Sequence, residues 1–354
     1  MRVLSIIVLS TLLGASTGLA DQTQDDNWKR CKSEDPQQAF GGCSALIQSG
    51  REQGGNLAEA FYDRGLASRR KGDFDDAIKD FDQALHLNPN FPDAFYQRGS
   101  IYAHQRNYDR AIQDYDQAIH LDPNLAKALY GRAWTYMQRG DNNHAIRDYD
   151  RALQINPTYL EAFYGRGLTY AHENNYDRAV QDYDQALRIN PTYANAFIAR
   201  GNAYGQQRDY SRAIQDFDEA LRLNPNSADA FYNRARIYEY RGDFDRAISD
   251  YDQSLRLNPS DADSYYGRGW GQARKGDYSS AILDYDQALR IDPSHVRALS
   301  NRRLAYYHQG DYIHAITDQG RLVWLRFGIL GLVVRLCLLI LSIGFAFKLI
   351  AKRA

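Results

Sequence analysis

Eight histidines and a recurring run of Asp, an aromatic residue and Asp are the groups with which this chain could hold a metal or move a proton. Metal binding needs several ligands brought together, as in His-Glu-x-x-His on one helix face, and acid–base or nucleophilic catalysis needs a base within reach of its partner. The histidines do not meet that requirement. His86, His104, His120, His172 and His308 fall near the ends of helical patterns, His144 and His314 near the starts of others, and His295 between two. None stands at ligand spacing from another, and the chain has no Gly-rich phosphate loop and no nucleophile elbow. The acidic runs, from Asp80-Phe81-Asp82 to Asp284-Tyr285-Asp286, sit mid-way along amphipathic patterns and not in the loops that calcium sites use, so they read as a solvated or ion-paired helix face. Cys31 and Cys43 are not spaced as CxxC, and no His lies between residues 21 and 57 to complete a zinc site. In an exported chain they would form a disulfide closing a short loop, for about 3 kcal/mol, the alternative being two small buried thiols. The expectation is a protein that is not an enzyme, with no catalytic residues, no metal and no cofactor.

The elements that carry these residues come from one unit. Pro92 to Leu125 is 34 residues long, with Phe95, Gly99 and Tyr102 followed by Ala111, Tyr115, Ala118 and Pro123, the spacing of a helix, a turn and a second helix. The pattern returns 34 residues earlier as Phe61, Gly65, Ala77, Phe81, Ala84 and Pro89, and 34 later as Leu129, Ala133, Tyr136, Ala145, Tyr149, Ala152 and Pro157. Closing prolines recur at Pro89, Pro123, Pro157, Pro191, Pro225, Pro259 and Pro293, each after Asn or Asp, an extended dipeptide that stops the second helix. The turn between helices ends on Asp73, Asn107, Asp141, Asn175, Asp209, Asp243 or Asp277, expected N-caps worth about 1 kcal/mol each.

These offsets resemble the signature of the tetratricopeptide repeat family. The resemblance implies an all-α, right-handed superhelical solenoid of helix-turn-helix repeats, whose first helices line a concave groove. Residues 58–295 hold seven repeats and 296–322 a degenerate eighth; 21–57 is a degenerate N-terminal helical cap, with Asp35 and Pro36 as an N-cap and N1 pair. Counting Pro92 as position 1, position 7 is Leu in the family and Arg here, at Arg64, Arg98, Arg132, Arg166, Arg200, Arg234, Arg268 and Arg302. We read these as a structural ladder with Asp80, Asp114, Asp148, Asp182, Asp216, Asp250 and Asp284, against a basic stripe for an acidic partner. Groove position 5 holds Tyr62, Tyr96, Tyr130, Tyr164, Ile198, Tyr232 and Tyr266, a stripe that suits both recognition and inter-repeat packing. Position 9 varies, with Trp134 and Trp270 among polar neighbours as candidate anchors for a partner. The family's clamp for C-terminal carboxylates is excluded, because Tyr62 and Leu66 stand where its Lys and Asn would be.

All 44 acidic residues lie in 21–322; of the 43 basic ones, one precedes and five follow that span, leaving 37 and a net charge of −7, which disfavours nucleic acid. Residues 1–20 read as a secretory signal peptide, or as an uncleaved anchor. In the segment 323–354, the run 327–347 carries one charge, Arg335, and is followed by Lys348, Lys352 and Arg353; it reads as a transmembrane anchor with a basic tail, the alternative being a helix that caps the solenoid or packs on a partner. The expected location is the periplasmic face of the bacterial inner membrane, single-pass with the C-terminus in the cytoplasm, and the lack of Asn-x-Ser/Thr acceptors other than proline-blocked ones agrees with that compartment. The expected function is an exported, membrane-anchored scaffold binding a peptide or protein in the groove. A carbohydrate-binding accessory of envelope polysaccharide assembly or export is the alternative. If the arginine ladder is structural, Arg132→Ala lowers the melting temperature; an unchanged melt with loss of partner binding identifies a recognition stripe instead.

Overall fold

The computed structural model describes residues 22–322 and Leu325, and every regular element among them is α-helical. Chain contacts divide it at Asn175/Tyr176 into two units. The first holds α1 (22–31), α2 (Pro36–Ser49), α3 (Gly54–Lys71), α4 (Phe74–Leu87), α5 (Pro92–His104), α6 (Tyr108–Leu121), α7 (Ala126–Gln138), α8 (Asn142–Ile155) and α9 (Leu160–His172). The second holds α10 (Tyr176–Ile189), α11 (Ala194–Gln206), α12 (Tyr210–Leu223), α13 (Ala228–Tyr240), α14 (Phe244–Leu257), α15 (Ala262–Arg274), α16 (Tyr278–Ile291), α17 (Val296–His308) and α18 (312–322). No described helix is long and apolar enough to cross a membrane. The expected signal peptide at 1–20 and the expected anchor at 327–347 lie outside the described residues.

Local chemistry sets the helix boundaries. After each first helix one residue turns left-handed: Gly72, Gly140, Gly242, Gly276 and Gly310 do so with φ of 78–86°, at no Cβ penalty. Arg106 and Arg208 adopt the same conformation with φ of 59° and 62°, at a cost of roughly 1 kcal/mol each. Asp141, Asp209, Asp243 and Asp277 then accept the backbone N–H three residues on, at 3.0–3.3 Å, and Asn107 does so at 3.5 Å. Asp73 departs from the expected capping role: its carboxylate makes no capping bond and instead pairs with the Lys71 ammonium at 3.0 Å. Second helices end at the Asn or Asp before each proline, whose side chain closes the turn by accepting the N–H two residues on, as Asn156 does from Thr158 at 3.1 Å.

Small residues bring the helices close. Ala94, Ala111, Ala118, Ala128, Ala145 and Ala152 are wholly buried, and the aromatic of each second helix, such as Phe81, Tyr149, Phe217, Tyr251 or Tyr285, fills the space between them. At the N-terminal end Gly42 lets α1 and α2 approach so closely that a Cβ there would lie 2.4 Å from the Cys31 nitrogen. Cys31 and Cys43 stand disulfide-bonded at this crossing. The buried Glu52 accepts the Trp28 indole N–H at 2.8 Å and the Gln24 amide at 2.5 Å, fastening α1 from the other side.

The arginine ladder joins three helices per rung. Arg132 donates Nε and Nη2 to Asp148 at 2.7 and 2.8 Å, and Nη1 to Asp116, in the preceding second helix, at 2.5 Å. Arg98, Arg200, Arg234, Arg268 and Arg302 do the same, each gripping the Asp sixteen residues ahead with two nitrogens and the Asp sixteen behind with the third. The Asp-aromatic-Asp run is therefore two different sites: its first Asp is buried, and its second reaches toward the next repeat. Burial opposes the charge of Arg132, but the bonds and charges of Asp148 and Asp116 outweigh it and hold the guanidinium pKa above its ordinary value. Removing such an arginine strands a buried carboxylate, a loss of about 3–5 kcal/mol.

A second pairing follows the same offset of sixteen. Where the second-helix aromatic is Tyr115, Tyr149 or Tyr251, the residue facing it on the next first helix is Gly131, Gly165 or Gly267; where it is Phe81 or Phe217, that residue is Gln97 or Asn233. A Cβ on Gly267 would lie 2.3 Å from Cζ of Tyr251 and 2.5 Å from its hydroxyl, so tyrosine and glycine are fitted to one another. Gly267→Asn is expected to lower stability by about 1–3 kcal/mol through overpacking, and adding Tyr251→Phe to recover a measurable part; strictly additive losses in denaturant melts would refute the pairing.

Candidate functional site

Positions 5, 9, 12 and 13 of the first helices share one face, since residues three and four apart are neighbours on a helix. The tyrosines of position 5 are half-buried, each ring packed on the second-helix aromatic of its own repeat: Tyr62 on Phe81 at 5.8 Å between centroids, Tyr96 on Tyr115 and Tyr130 on Tyr149 at 6.0 Å. In the second unit Tyr232 packs on Tyr251 at 6.0 Å and Tyr266 on Tyr285 at 6.1 Å. Burial pushes the Tyr62 hydroxyl up to about 12, and raises those of Tyr232 and Tyr266 as well. Tyr164 is likewise half-buried. Several of these rings also meet the next repeat, Tyr62 on Phe91 at 4.7 Å, Tyr130 on Tyr159 at 5.2 Å and Tyr266 on His295 at 5.1 Å, so packing between repeats engages them as well.

Trp134 is half-buried against the core of the first unit. Trp270 stands edge-on to Phe244 at 5.5 Å, and the Arg274 guanidinium lies over both rings, 5.2 Å from Trp270 and 5.0 Å from Phe244. Similar contacts join the start of one second helix to the end of the next first helix: Phe74 with His104 at 4.9 Å, Tyr210 with Tyr240 at 6.0 Å, and Tyr278 with His308 at 4.7 Å and only 7° from parallel. Two open cavities follow in the second unit. One, about 340 Å³, is flanked by Asn202, Arg236 and Tyr240; the other, about 290 Å³, by Trp270, Arg274, Asn301 and His308.

Charge on this face is uneven. Among the described residues Arg236 and Arg274 have no carboxylate partner, and Arg236 donates instead to the Tyr240 hydroxyl at 3.3 Å. Glu239, between them at position 12, has one carboxylate oxygen buried without a hydrogen bond. The histidines take structural parts: His144 and His314 bond Asp141 and Asp311 at 2.7 and 2.6 Å, and His295 caps α17 by accepting the Ala298 N–H at 3.1 Å. No group of three His, Cys, Asp or Glu that could hold a metal occurs among the described residues.

The structure thus brings Trp270 into the wall of a cavity, and it packs the position-5 tyrosines against the second-helix aromatics. Arg236, Glu239, Tyr240, Arg274, Asn301 and His308 were missing from the expected partner-binding set. The helical period carried the signal: 240 and 274 lie one turn beyond the varied residues 236 and 270.

Two sequence-family models, both described as tetratricopeptide repeat, match this chain, one at residues 62–126, 198–262, 232–296 and 266–322 and the other at 126–159 and 160–193. The chain belongs to the tetratricopeptide repeat family. By sequence, no curated protein matches it at a significant level. Among solved structures it is similar to a tetratricopeptide repeat protein from Parabacteroides merdae, with 23% identity, 72% of this chain and 98% of that one covered, and a TM-score of 0.55. It is also similar to Pseudomonas aeruginosa pilF, at 21% identity, coverage of 58% and 94%, and a TM-score of 0.53. A third likeness is to the APC/C hetero-tetramer Cut9-Hcn1, at 16% identity, coverage of 80% and 54%, and a TM-score of 0.58. At these identities the likeness is one of fold: an all-α repeat solenoid.

Glu239 gives the face a pH signature. Burial pushes its carboxyl up to about 7, against the opposing pull of the Tyr251 hydroxyl and the Arg236 and Arg297 charges. A folded-state pKa raised above the unfolded value gives stability that is full below the unfolded pKa and lost as pH rises through the folded one. The melting temperature is therefore expected to fall between pH 5 and 8, and Glu239→Gln to flatten that part of the profile; an identical profile in the variant would place the titration elsewhere.

Proposed function

We propose that this protein is a non-catalytic scaffold, exported and membrane-anchored, which binds a peptide or protein partner along the groove face of its first helices. A tetratricopeptide array in general suggests a protein–protein interaction scaffold. One observation carries the finer reading: the residues that repeat are engaged in packing and in the arginine ladder, whereas those that vary, Trp134 in the first unit and Arg236, Tyr240, Trp270, Arg274 and His308 in the second, sit half-buried or exposed on the first helices. Half-exposed aromatics beside unpaired cations are the composition of protein-recognition surfaces, where Trp, Tyr and Arg supply most of the affinity. Export is supported by the signal-like residues 1–20 and by the Cys31–Cys43 pair, since such bridges persist in oxidising compartments. The anchor reading rests on the apolar run 327–347 with its basic flank, and it places the repeats on the periplasmic face of the inner membrane.

The test is photo-crosslinking in cells from Ser100 and Asn202, followed by mass spectrometry. Protein adducts that disappear when Trp134→Ala and Trp270→Ala are combined are the expected result. Adducts that survive both substitutions exclude the groove, and binding of isolated glycans without protein favours the polysaccharide reading.

A further inference from the structure

The cavity of about 290 Å³ lies among α15, α16 and α17. Trp270 forms part of its wall, the stacked pair of Tyr278 and His308 another part, and Leu304, 43% exposed, adds an apolar edge. Tyr285 also lines it. This side chain is wholly buried, yet its hydroxyl makes no hydrogen bond of good geometry, although the Asn301 amide is its neighbour. The position is the one at which the pairing rule breaks. Elsewhere a second-helix tyrosine faces Gly131, Gly165, Ala199 or Gly267, and the larger amides Gln97 and Asn233 face phenylalanine; Tyr285 alone among the described repeats is followed sixteen residues on by Asn301. The cavity lies at that exception; the unpartnered hydroxyl alone does not mark it, since the buried Tyr149 hydroxyl against Gly165 also lacks a hydrogen bond.

Arg274, exposed, stands beside the cavity with no carboxylate among the described residues, unlike Arg268 and Arg302 of the ladder. Its guanidinium lies over the Phe244 and Trp270 rings, so the cation is presented in a fixed place. Aromatic walls, a buried hydroxyl without a hydrogen bond, and a guanidinium with no ion pair define one ligand chemistry. We propose that this cavity takes a tyrosine side chain of a peptide segment in which the tyrosine is adjacent to Asp or Glu. The ring stacks on Trp270 and the His308 pair, its hydroxyl bonds Tyr285 and Asn301, and the neighbouring carboxylate meets Arg274. The proposal rests on the reading of the groove as a peptide-binding face and specifies what that face selects.

The test is panning of a phage-displayed random dodecapeptide library on the purified full-length chain in detergent, with thermal melts matched across variants. Enrichment of Tyr next to Asp or Glu is expected, with affinity reduced about 3–10-fold by Tyr285→Phe, the worth of one hydrogen bond, and more by Trp270→Ala. Arg274→Glu is expected to redirect enrichment to Tyr next to Lys or Arg. No enrichment, enrichment without the acidic–tyrosine pair, or an unchanged selection by Arg274→Glu overturns the proposal. Enriched peptides that bind Trp270→Ala as well as the parent overturn this cavity while leaving the groove reading intact, which the crosslinks from Ser100 and Asn202 decide independently.

Discussion

The two-sided grip of one arginine on two aspartates is the contact on which the rest of this structure depends. The family places Leu at this position, where it would need only apolar neighbours. A guanidinium in the same place must have its charge and its donors satisfied, because burial without partners would be prohibitive. The chain meets that demand with two aspartates per second helix, one turned inward to its own first helix and one turned to the next. The rung consequently holds three helices at once, and within each unit the relation of one repeat to the next is set by directional bonds as well as by packing. The ring of Phe95, Phe197 or Phe231 lies 5.4–5.7 Å from the guanidinium of the same rung, so the head is held by an aromatic as well as by carboxylates.

That division of labour decides where specificity can reside. Positions tied into the ladder, the alanine contacts and the tyrosine–glycine fit cannot vary without loss of the array. What is free is the set of first-helix positions 9, 12 and 13, and there the two units differ. The second unit gathers Arg236, Tyr240, Trp270 and Arg274 on neighbouring repeats, giving a cationic aromatic patch on a chain whose net charge is negative. A summed charge over the whole repeat region conceals this local excess of cations.

Much of the fold was legible because the repeat length is fixed and because Asn-Pro, Asp-Pro and the capping acids punctuate it by local chemistry. The forward half of each rung was legible too, as Arg98 with Asp114. The backward half was not: Asp82 lies in another repeat, and only knowledge that successive second helices are neighbours connects it to Arg98. Asp318 escaped notice because the signature had already decayed around it. At the candidate site, Trp270 announced itself by being large and apolar among polar neighbours. Tyr285 could not, since it occupies a position that is aromatic in every repeat, and its distinction lies only in the residue that faces it.

The ends of the ladder have a consequence for the size of the array. Sixteen residues before Arg64 stands Gln48, and the ring of Phe40 lies 5.8 Å from that guanidinium where other rungs have their backward aspartate. At the other end the acidic run reads Asp318-Gln319-Gly320, so the carboxylate that would receive an arginine from a ninth repeat is missing. Polar links between the repeats end there as well: Asp109 and Asp177 receive Arg139 and Gln207, whereas the equivalent of those acids in α18 is Ile313. A whole unit removed from the interior would bring matching sockets together again, but a unit added after α18 would find no carboxylate for its arginine. The boundary residues thus fix where the ladder stops, while the units between them carry interchangeable sockets.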